Sequence, residues 1–96
     1  MNRYARRVDD NQAEIVQALR ASGASVQHLY AVGHGCPDLL VARAGVNYLL
    51  EVKDCRKSPS ERRLTPDEAA WHQAWNGSVM VVSSVDEALR AIGAIV

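Results

Sequence analysis

Two acidic residues and a lysine near the middle of the chain are spaced so that a folded sheet would bring them together. Asp38 opens one run of apolar residues, and Glu51 and Lys53 end the next run. Side chains alternate along a strand, so Glu51 and Lys53 share one face and lie next to each other on it. A hairpin between the two strands returns Asp38 to the same end of the ladder. The spacing therefore predicts two carboxylates and an ammonium group in one corner.

A corner of this composition is suited to phosphodiester hydrolysis. Two carboxylates and a backbone carbonyl can hold Mg²⁺, which takes few protein ligands and keeps several waters. The ion polarises a phosphate oxygen and stabilises the leaving oxyanion, while a lysine orients or deprotonates the attacking water. The alternative interpretation is a surface ion pair between Glu51 and Lys53, with Asp38 capping a turn.

The composition indicates one small globular domain that carries this corner. The chain has 96 residues, of which 48% are hydrophobic and 23% charged, and this balance excludes disorder for most of the length. Eleven Lys and Arg offset eleven Asp and Glu, so attraction to a polyanion would have to come from local clusters. No apolar run reaches the roughly 18 residues of a membrane span and no signal-peptide core is present, which predicts a cytoplasmic protein. Cys36 and Cys55 are expected to be free thiols.

Apolar periodicity and turn residues predict the element order α-β-β-β-α-β-α. The two central strands are expected to form a hairpin that turns at Ala44-Gly45. The predicted ranges are a helix at 10–22, strands at 25–32, 38–43 and 46–53, a helix at 65–76, a strand at 79–82 and a last helix from 84.

Helix boundaries are marked most clearly at the second helix. Thr65 is a typical N-cap, Pro66 takes the first helical position, and Glu68 stands three residues after the cap, which together predict a capping box. The first helix is expected to be capped by Asp9 or Asp10.

The central motifs resemble those of the PD-(D/E)XK nuclease superfamily. Gly35-Cys-Pro-Asp38 is followed, after twelve residues, by Glu51-Val-Lys53. The Gly-x-Pro-Asp-Leu stretch and the compact chain are most similar to phage and bacterial VRR-NUC domains, relatives of archaeal Holliday junction resolvases. The resemblance covers about residues 10–93. It implies an α/β fold with a restriction-endonuclease-like αβββαβ core, a four-stranded mixed sheet flanked by helices, and an extra C-terminal helix.

The resemblance also implies roles for individual residues. Asp38 and Glu51 would be ligands of Mg²⁺ or Mn²⁺, with Val52 offering its backbone carbonyl, and Lys53 would manage the attacking water. Glu14, on the first helix, would complete the metal site or contact a metal-bound water; its alternative is a solvated helix acid. The implied activity is that of a metal-dependent endonuclease that cuts branched or structured DNA, such as junctions and flaps, as a homodimer. A bacterial cytoplasm, or the host cytoplasm of a phage, would be its location.

Two features depart from the resemblance. Many relatives begin the helix after the lysine strand with a glutamine near the site, whereas Glu68 occupies that region here and Gln73 comes one turn later. The chain also lacks the valine-arginine-arginine triplet that the family name records.

Basic residues that could contact DNA phosphates fall in a mobile arm at residues 1–8 and in an exposed loop at residues 54–64. A solvated loop is the alternative for the second segment. No helix carries a set of base-reading residues, so backbone shape is the expected feature read. The predicted DNA contacts are Arg6, Arg7, Arg56, Lys57, Arg62 and Arg63, with His34 on a glycine-flanked turn.

Four aromatic residues are assigned structural roles. Trp71 and Trp75 lie one turn apart on the second helix, which favours packing against the sheet, with a subunit contact as the alternative. His28 and His72 have no partner at metal-ligand spacing and are expected to be structural or solvated.

Two other functions remain open from the sequence alone. One is a nucleic-acid-binding module that keeps the nuclease fold without turnover. The other is a nuclease of the same fold that acts on RNA, or as a restriction-type cutter.

Overall fold

The structure is a computed structural model that describes residues 9–96. The predicted basic arm, with Arg6 and Arg7, lies outside the described residues. The predicted order of elements is confirmed. The elements are α1 (Gln12–Ala21), β1 (Ser25–His28), β2 (Leu39–Arg43), β3 (Val46–Val52), α2 (Pro66–Ala74), β4 (Met80–Val82) and α3 (Val85–Ala91).

The four strands form one mixed sheet in the order β1-β2-β3-β4. The pairs β1/β2 and β2/β3 are antiparallel, while β3 and β4 are parallel. A parallel pair requires a long crossover, which here contains α2. The predicted restriction-endonuclease-like core with an additional C-terminal helix, α3, is therefore confirmed.

The central hairpin turns at the predicted dipeptide. Ala44 and Gly45 have φ angles of 52° and 80°, as a two-residue turn between right-twisted strands requires. The resulting register pairs Leu39 with Leu50, so the preceding Asp38 reaches the level of Glu51. The turn thus fixes which residues meet at the other end of the hairpin.

The hydrophobic core lies on one face of the sheet, under α1 and α3. Alternation along β3 turns Leu50 and Val52 into this core, and both are fully buried. They meet residues from α1, β2, β4 and α3, namely Ile15, Val16, Leu19, Leu39, Val41, Val82, Ala88 and Ile92. Within residues 9–96, no helix combines the length and the apolar character needed to cross a bilayer.

The start of α1 differs from the expectation. Its N-cap is Asn11, with no side-chain capping bond, so capping by Asp9 or Asp10 was wrong. The buried Asn11 amide instead donates to the carbonyl of Lys53 at 2.8 Å and to that of Ser83 at 3.1 Å. A buried amide must find hydrogen-bond acceptors, and these lie at the ends of β3 and β4. Asn11 therefore ties α1 to the strand end that carries the lysine.

The capping box of α2 is confirmed in full. The Thr65 hydroxyl accepts from the Glu68 backbone N–H, and the Glu68 carboxylate accepts from the Thr65 N–H. The helix ends at Ala74 with Trp75 as C-cap, two residues before the predicted end. Strand β1 is also shorter than expected, because residues 30–32 and 34–35 form turns and no strand lies between His28 and Leu39.

Candidate active site

Asp38 and Glu51 lie buried at the same end of two neighbouring strands. Their exposed fractions are 4% and 1%. The Asp38 Oδ2 atom accepts a hydrogen bond from the backbone N–H of Val52 at 2.7 Å. This bond anchors the Asp38 carboxylate to the segment that carries Glu51 and Lys53. The corner predicted from spacing is therefore present.

Lys53 lies in this corner but is held by an acid from α2. Its Nζ donates to Glu68 Oε1 at 2.8 Å and lies 4.0 Å from Glu51 Oε2. The same Glu68 oxygen accepts the capping-box bond from the Thr65 N–H at 2.8 Å. Glu68 thus both completes the capping box of α2 and fixes Lys53. The resemblance predicts a glutamine in this region. Gln73 is exposed.

The Glu68 carboxylate is kept ionised by its neighbours. Burial by itself would raise the pKa of Glu68, but the hydrogen bonds from Lys53 and the Thr65 backbone, with the Lys53 charge and the contact with Glu51, bring it from 4.5 to about 2. Lys53 therefore has a charged partner at every pH near neutrality. Both side chains are 9% exposed, so water screens this pair little.

The loop before Asp38 packs against the N-terminus of α2. Gly35 has φ +82°, and a Cβ atom there would overlap the carbonyl of Asp67 and lie 2.9 Å from the Glu68 nitrogen. Only glycine allows this approach, because it tolerates the left-handed conformation and occupies no space on that side. Gly35 therefore sets the distance between the Asp38 loop and the helix turn that presents Glu68.

His72 is a site residue that the sequence interpretation missed. Its Nε2 is 3.9 Å from Glu51 Oε1, and its side chain is 14% exposed. Residues four apart on a helix share a face, so the spacing of His72 from Glu68 was the signal that both point into the corner. The signal could be used only if Glu68 was already known to belong to the site.

Glu14 lies apart from the buried acids. Its side chain is 56% exposed, and its carboxylate is 3.7 Å from the Arg56 guanidinium. Among residues 9–96, no three His, Cys, Asp or Glu side chains are grouped as metal ligands. The structure therefore brings Asp38 and Glu51 together but does not add Glu14 to them, and its role in metal binding stays a prediction.

The charges of the corner fit a divalent cation. The buried carboxyl groups of Glu51 and Glu68 lie within 4.0 Å of the Lys53 ammonium group, and the buried Asp38 carboxylate is hydrogen-bonded to the backbone between Glu51 and Lys53. Burying acidic groups is costly unless positive charge or protons compensate them. Mg²⁺ needs only one or two protein carboxylates, because it retains several waters. Asp38 and Glu51 supply that number of carboxylates, with Glu68 engaged by Lys53, and the Val52 carbonyl as a further donor stays a prediction.

Two residues of the predicted basic loop are neutralised by acids. The Nε and Nη2 atoms of Arg56 donate hydrogen bonds to the two carboxylate oxygens of Asp54, at 2.9 and 2.8 Å. The hydrogen bonds from Arg56 lower the pKa of Asp54 to about 2. Lys57 lies 3.3 Å from the Asp9 carboxylate. Residues 53–65 contain no helix or strand.

Other predicted DNA contacts remain accessible. Arg63 is exposed and forms no ion pair within residues 9–96, while Arg62 is half-buried. His34 is exposed on its turn with φ 56°. Contact of these side chains with phosphates stays a prediction.

Comparison with known proteins gives one informative match. No family model matches the chain, and no curated protein matches it. A solved structure of a VRR_NUC domain is similar, with a TM-score of 0.61 and 30% sequence identity. The match covers 84% of this chain and 88% of the other, so it extends over nearly the whole of both.

Proposed function

Since the chain belongs to the VRR-NUC family and is a nuclease-type domain, we propose that it is an Mg²⁺- or Mn²⁺-dependent endonuclease that hydrolyses phosphodiester bonds in DNA. The observation that carries this proposal is the buried corner of Asp38, Glu51 and Lys53, closed by Glu68. A structural ion pair alone would not require two further buried acids beside a single ammonium group.

Each residue of the corner has a distinct task in this proposal. Asp38, Glu51 and the Val52 carbonyl would hold the cation, and a cation bound there would polarise a phosphate oxygen and make a bound water more acidic. Lys53 orients the attacking water toward the phosphorus. Glu68 fixes the position of the Lys53 ammonium, since the two are 2.8 Å apart. Glu14 remains a candidate for an outer contact to a metal-bound water.

The finer parts of the proposal concern substrate and assembly. We propose branched or otherwise structured DNA as substrate, a homodimer as the active form, and the cytoplasm as location. A two-fold symmetric junction is matched by a two-fold symmetric enzyme. Arg6, Arg7, Arg62, Arg63 and His34 are the proposed phosphate contacts, with Arg56 and Lys57 joining only if DNA displaces their acidic partners.

A cleavage assay tests the catalytic assignment. Wild type, Asp38→Asn and Lys53→Met are incubated with junction, flap and linear duplex DNA, in Mg²⁺, Mn²⁺ or chelator. Asp86→Asn, at an exposed acid of α3, is the matched control. We expect metal-dependent cutting by wild type and control, and loss in both site variants. Undiminished cutting by either site variant would contradict the assignment, and DNA binding without any cutting would favour a non-catalytic module.

A further inference from the structure

A cavity of about 680 Å³ lies between α2 and the face of the sheet opposite the core. The cross-strand pair Leu40 and Leu49 lines it from the sheet, and Trp71 and Trp75 line it from the helix. The tryptophans thus face the sheet, as expected, but they do not close against it. Trp75 is 47% exposed. This face therefore keeps an open recess where the other face has a sealed core.

The cavity adjoins the candidate active site along three segments. Leu49 is two residues before Glu51 on the same face of β3, which corresponds to about 7 Å along a strand. Cys36, in the cavity wall, is two residues before Asp38. Trp71 directly precedes His72, whose Nε2 lies 3.9 Å from Glu51. A ligand that fills the cavity would therefore lie beside the buried carboxylates.

The lining of the cavity favours a flat, uncharged ring. Trp71 and Trp75 are stacked, with ring centroids 4.6 Å apart and planes inclined by 18°. Asn47 and Ser78 add hydrogen-bonding groups, and none of the described residues that line the cavity is charged. The volume lies within the range of small-molecule sites. A phosphate would find no positive partner here, whereas a nucleobase has both a π-face and hydrogen-bonding edges.

We propose that this cavity receives one unpaired nucleobase of the DNA strand being cut. The base stacks on the tryptophan pair, and the phosphate next to it then reaches Asp38, Glu51 and Lys53. This inference rests on the proposed nuclease function and adds to it a requirement for a base outside the duplex. A paired base cannot enter a side pocket unless it leaves the stack, so structured DNA with unpaired bases is the substrate class that the cavity selects.

Fluorescence offers a direct test, because Trp71 and Trp75 are the two tryptophans of the whole chain. The full chain, in chelator and without added metal, is titrated with a short single-stranded oligothymidylate. A strand of equal length in which every base is missing serves as the comparison, since it keeps all the phosphates. We expect saturable quenching by the first strand only. The chelator prevents cleavage, so the result is independent of turnover.

A variant pair assigns the effect to the cavity. Trp75→Leu keeps an apolar residue at a half-exposed position and removes the stacking surface. Val46→Ala, at an exposed apolar residue that begins β3 and lies outside the cavity lining, is the control. Anisotropy of the labelled strand should show affinity reduced roughly 5- to 150-fold in Trp75→Leu and unchanged in the control. Thermal melts by circular dichroism establish that both variants are folded.

Three results would overturn the inference. The first is equal binding of the base-free strand, and the second is unchanged affinity of Trp75→Leu for the oligothymidylate. The third is a tryptophan fluorescence change that depends on protein concentration in the absence of DNA, together with a doubled molecular mass, which would assign the cavity to a second copy of the chain. Failure of the nuclease proposal is seen separately. In that case base-dependent binding persists in chelator, while Mg²⁺ produces no cutting that depends on Asp38.

Discussion

The two faces of the sheet show how one strand serves both stability and chemistry. Leu50 and Glu51 are neighbours on β3 and are equally buried, at 0% and 1% exposure. Leu50 meets the apolar residues of α1 and α3, whereas Glu51 meets Lys53 and His72 under α2. Strand alternation separates these environments completely. One face is closed by hydrophobic packing, and the other carries the buried charges and the open cavity.

The largest expected contrast is between substitutions at these two neighbours. Glu51→Gln keeps the shape of the side chain but removes the negative charge of a proposed cation ligand, and should lower the rate of DNA cleavage on the order of 10³-fold, since metal polarisation contributes several kcal/mol. Leu50→Ala should lower the free energy of unfolding by about 2–5 kcal/mol. Its folded fraction should still cut DNA. Cleavage rates and urea denaturation measure both quantities.

The opposite pattern of effects would contradict this prediction. If Leu50→Ala abolished cutting in protein shown to be folded, or if Glu51→Gln cut at the wild-type rate, the separation of the two faces would be wrong.

The second prediction concerns how α2 is held over the site. Gly33 and Gly35 both have positive φ, but only Gly35 has backbone atoms where a Cβ would lie. Gly35→Ala should therefore cost about 1–3 kcal/mol more than Gly33→Ala, because it adds overlap with Asp67 and Glu68 to the same backbone strain. Thermal or urea denaturation of the pair measures the difference. Equal losses would mean that the loop and the helix are not in contact.

The third prediction follows from the pKa of Glu68, which is about 2 in the folded protein against an ordinary 4.5. A lowered pKa means that the stabilisation is present above about pH 4.5 and is lost as the pH falls toward 2. Glu68→Gln lacks this contribution. Wild type should therefore be more stable than the variant at neutral pH, and the gap should narrow in acid. The Asp54 carboxyl group titrates in both proteins, so its contribution to stability cancels in the difference between wild type and variant.

Urea denaturation at several pH values measures this gap. A gap that stays constant from neutral pH down to about pH 2 would contradict the pairing of Glu68 with Lys53.

The smallest expected effect distinguishes two arginines of the loop. Arg63 is exposed without an acidic partner in the described part of the chain, whereas Arg56 is paired with Asp54. Arg63→Ala should weaken DNA binding and reduce the slope of log affinity against log salt by about 1. Arg56→Ala should change that slope less. Equal changes would show that DNA displaces Asp54 from Arg56.

Much of this arrangement was predictable because it depends on local rules. The turn at Ala44-Gly45 and the period-two pattern of β3 fixed the register, and the register brought Asp38 to Glu51. The Thr65 capping box marked the start of α2 without any tertiary information. These features follow from the conformational preferences of a few adjacent residues.

The contacts between distant segments could not be predicted in this way. Asn11 looks like an ordinary helix cap, yet its amide binds the carbonyls of Lys53 and Ser83. Glu68 fits the capping box so well that its second role beside Lys53 was not predicted, although it occupies the region where relatives carry a glutamine near the site. The partners of Glu14 and Arg56 depend on how the loop folds back on α1, which periodicity does not specify.

The most direct test of the central claim is a crystal structure of the protein soaked in Mn²⁺, with anomalous difference maps. We expect a peak bound by the carboxylates of Asp38 and Glu51 and by the Val52 carbonyl, and no such peak in Glu51→Gln. Absence of density there in an enzyme that cuts DNA, or a peak held by other residues, would contradict it.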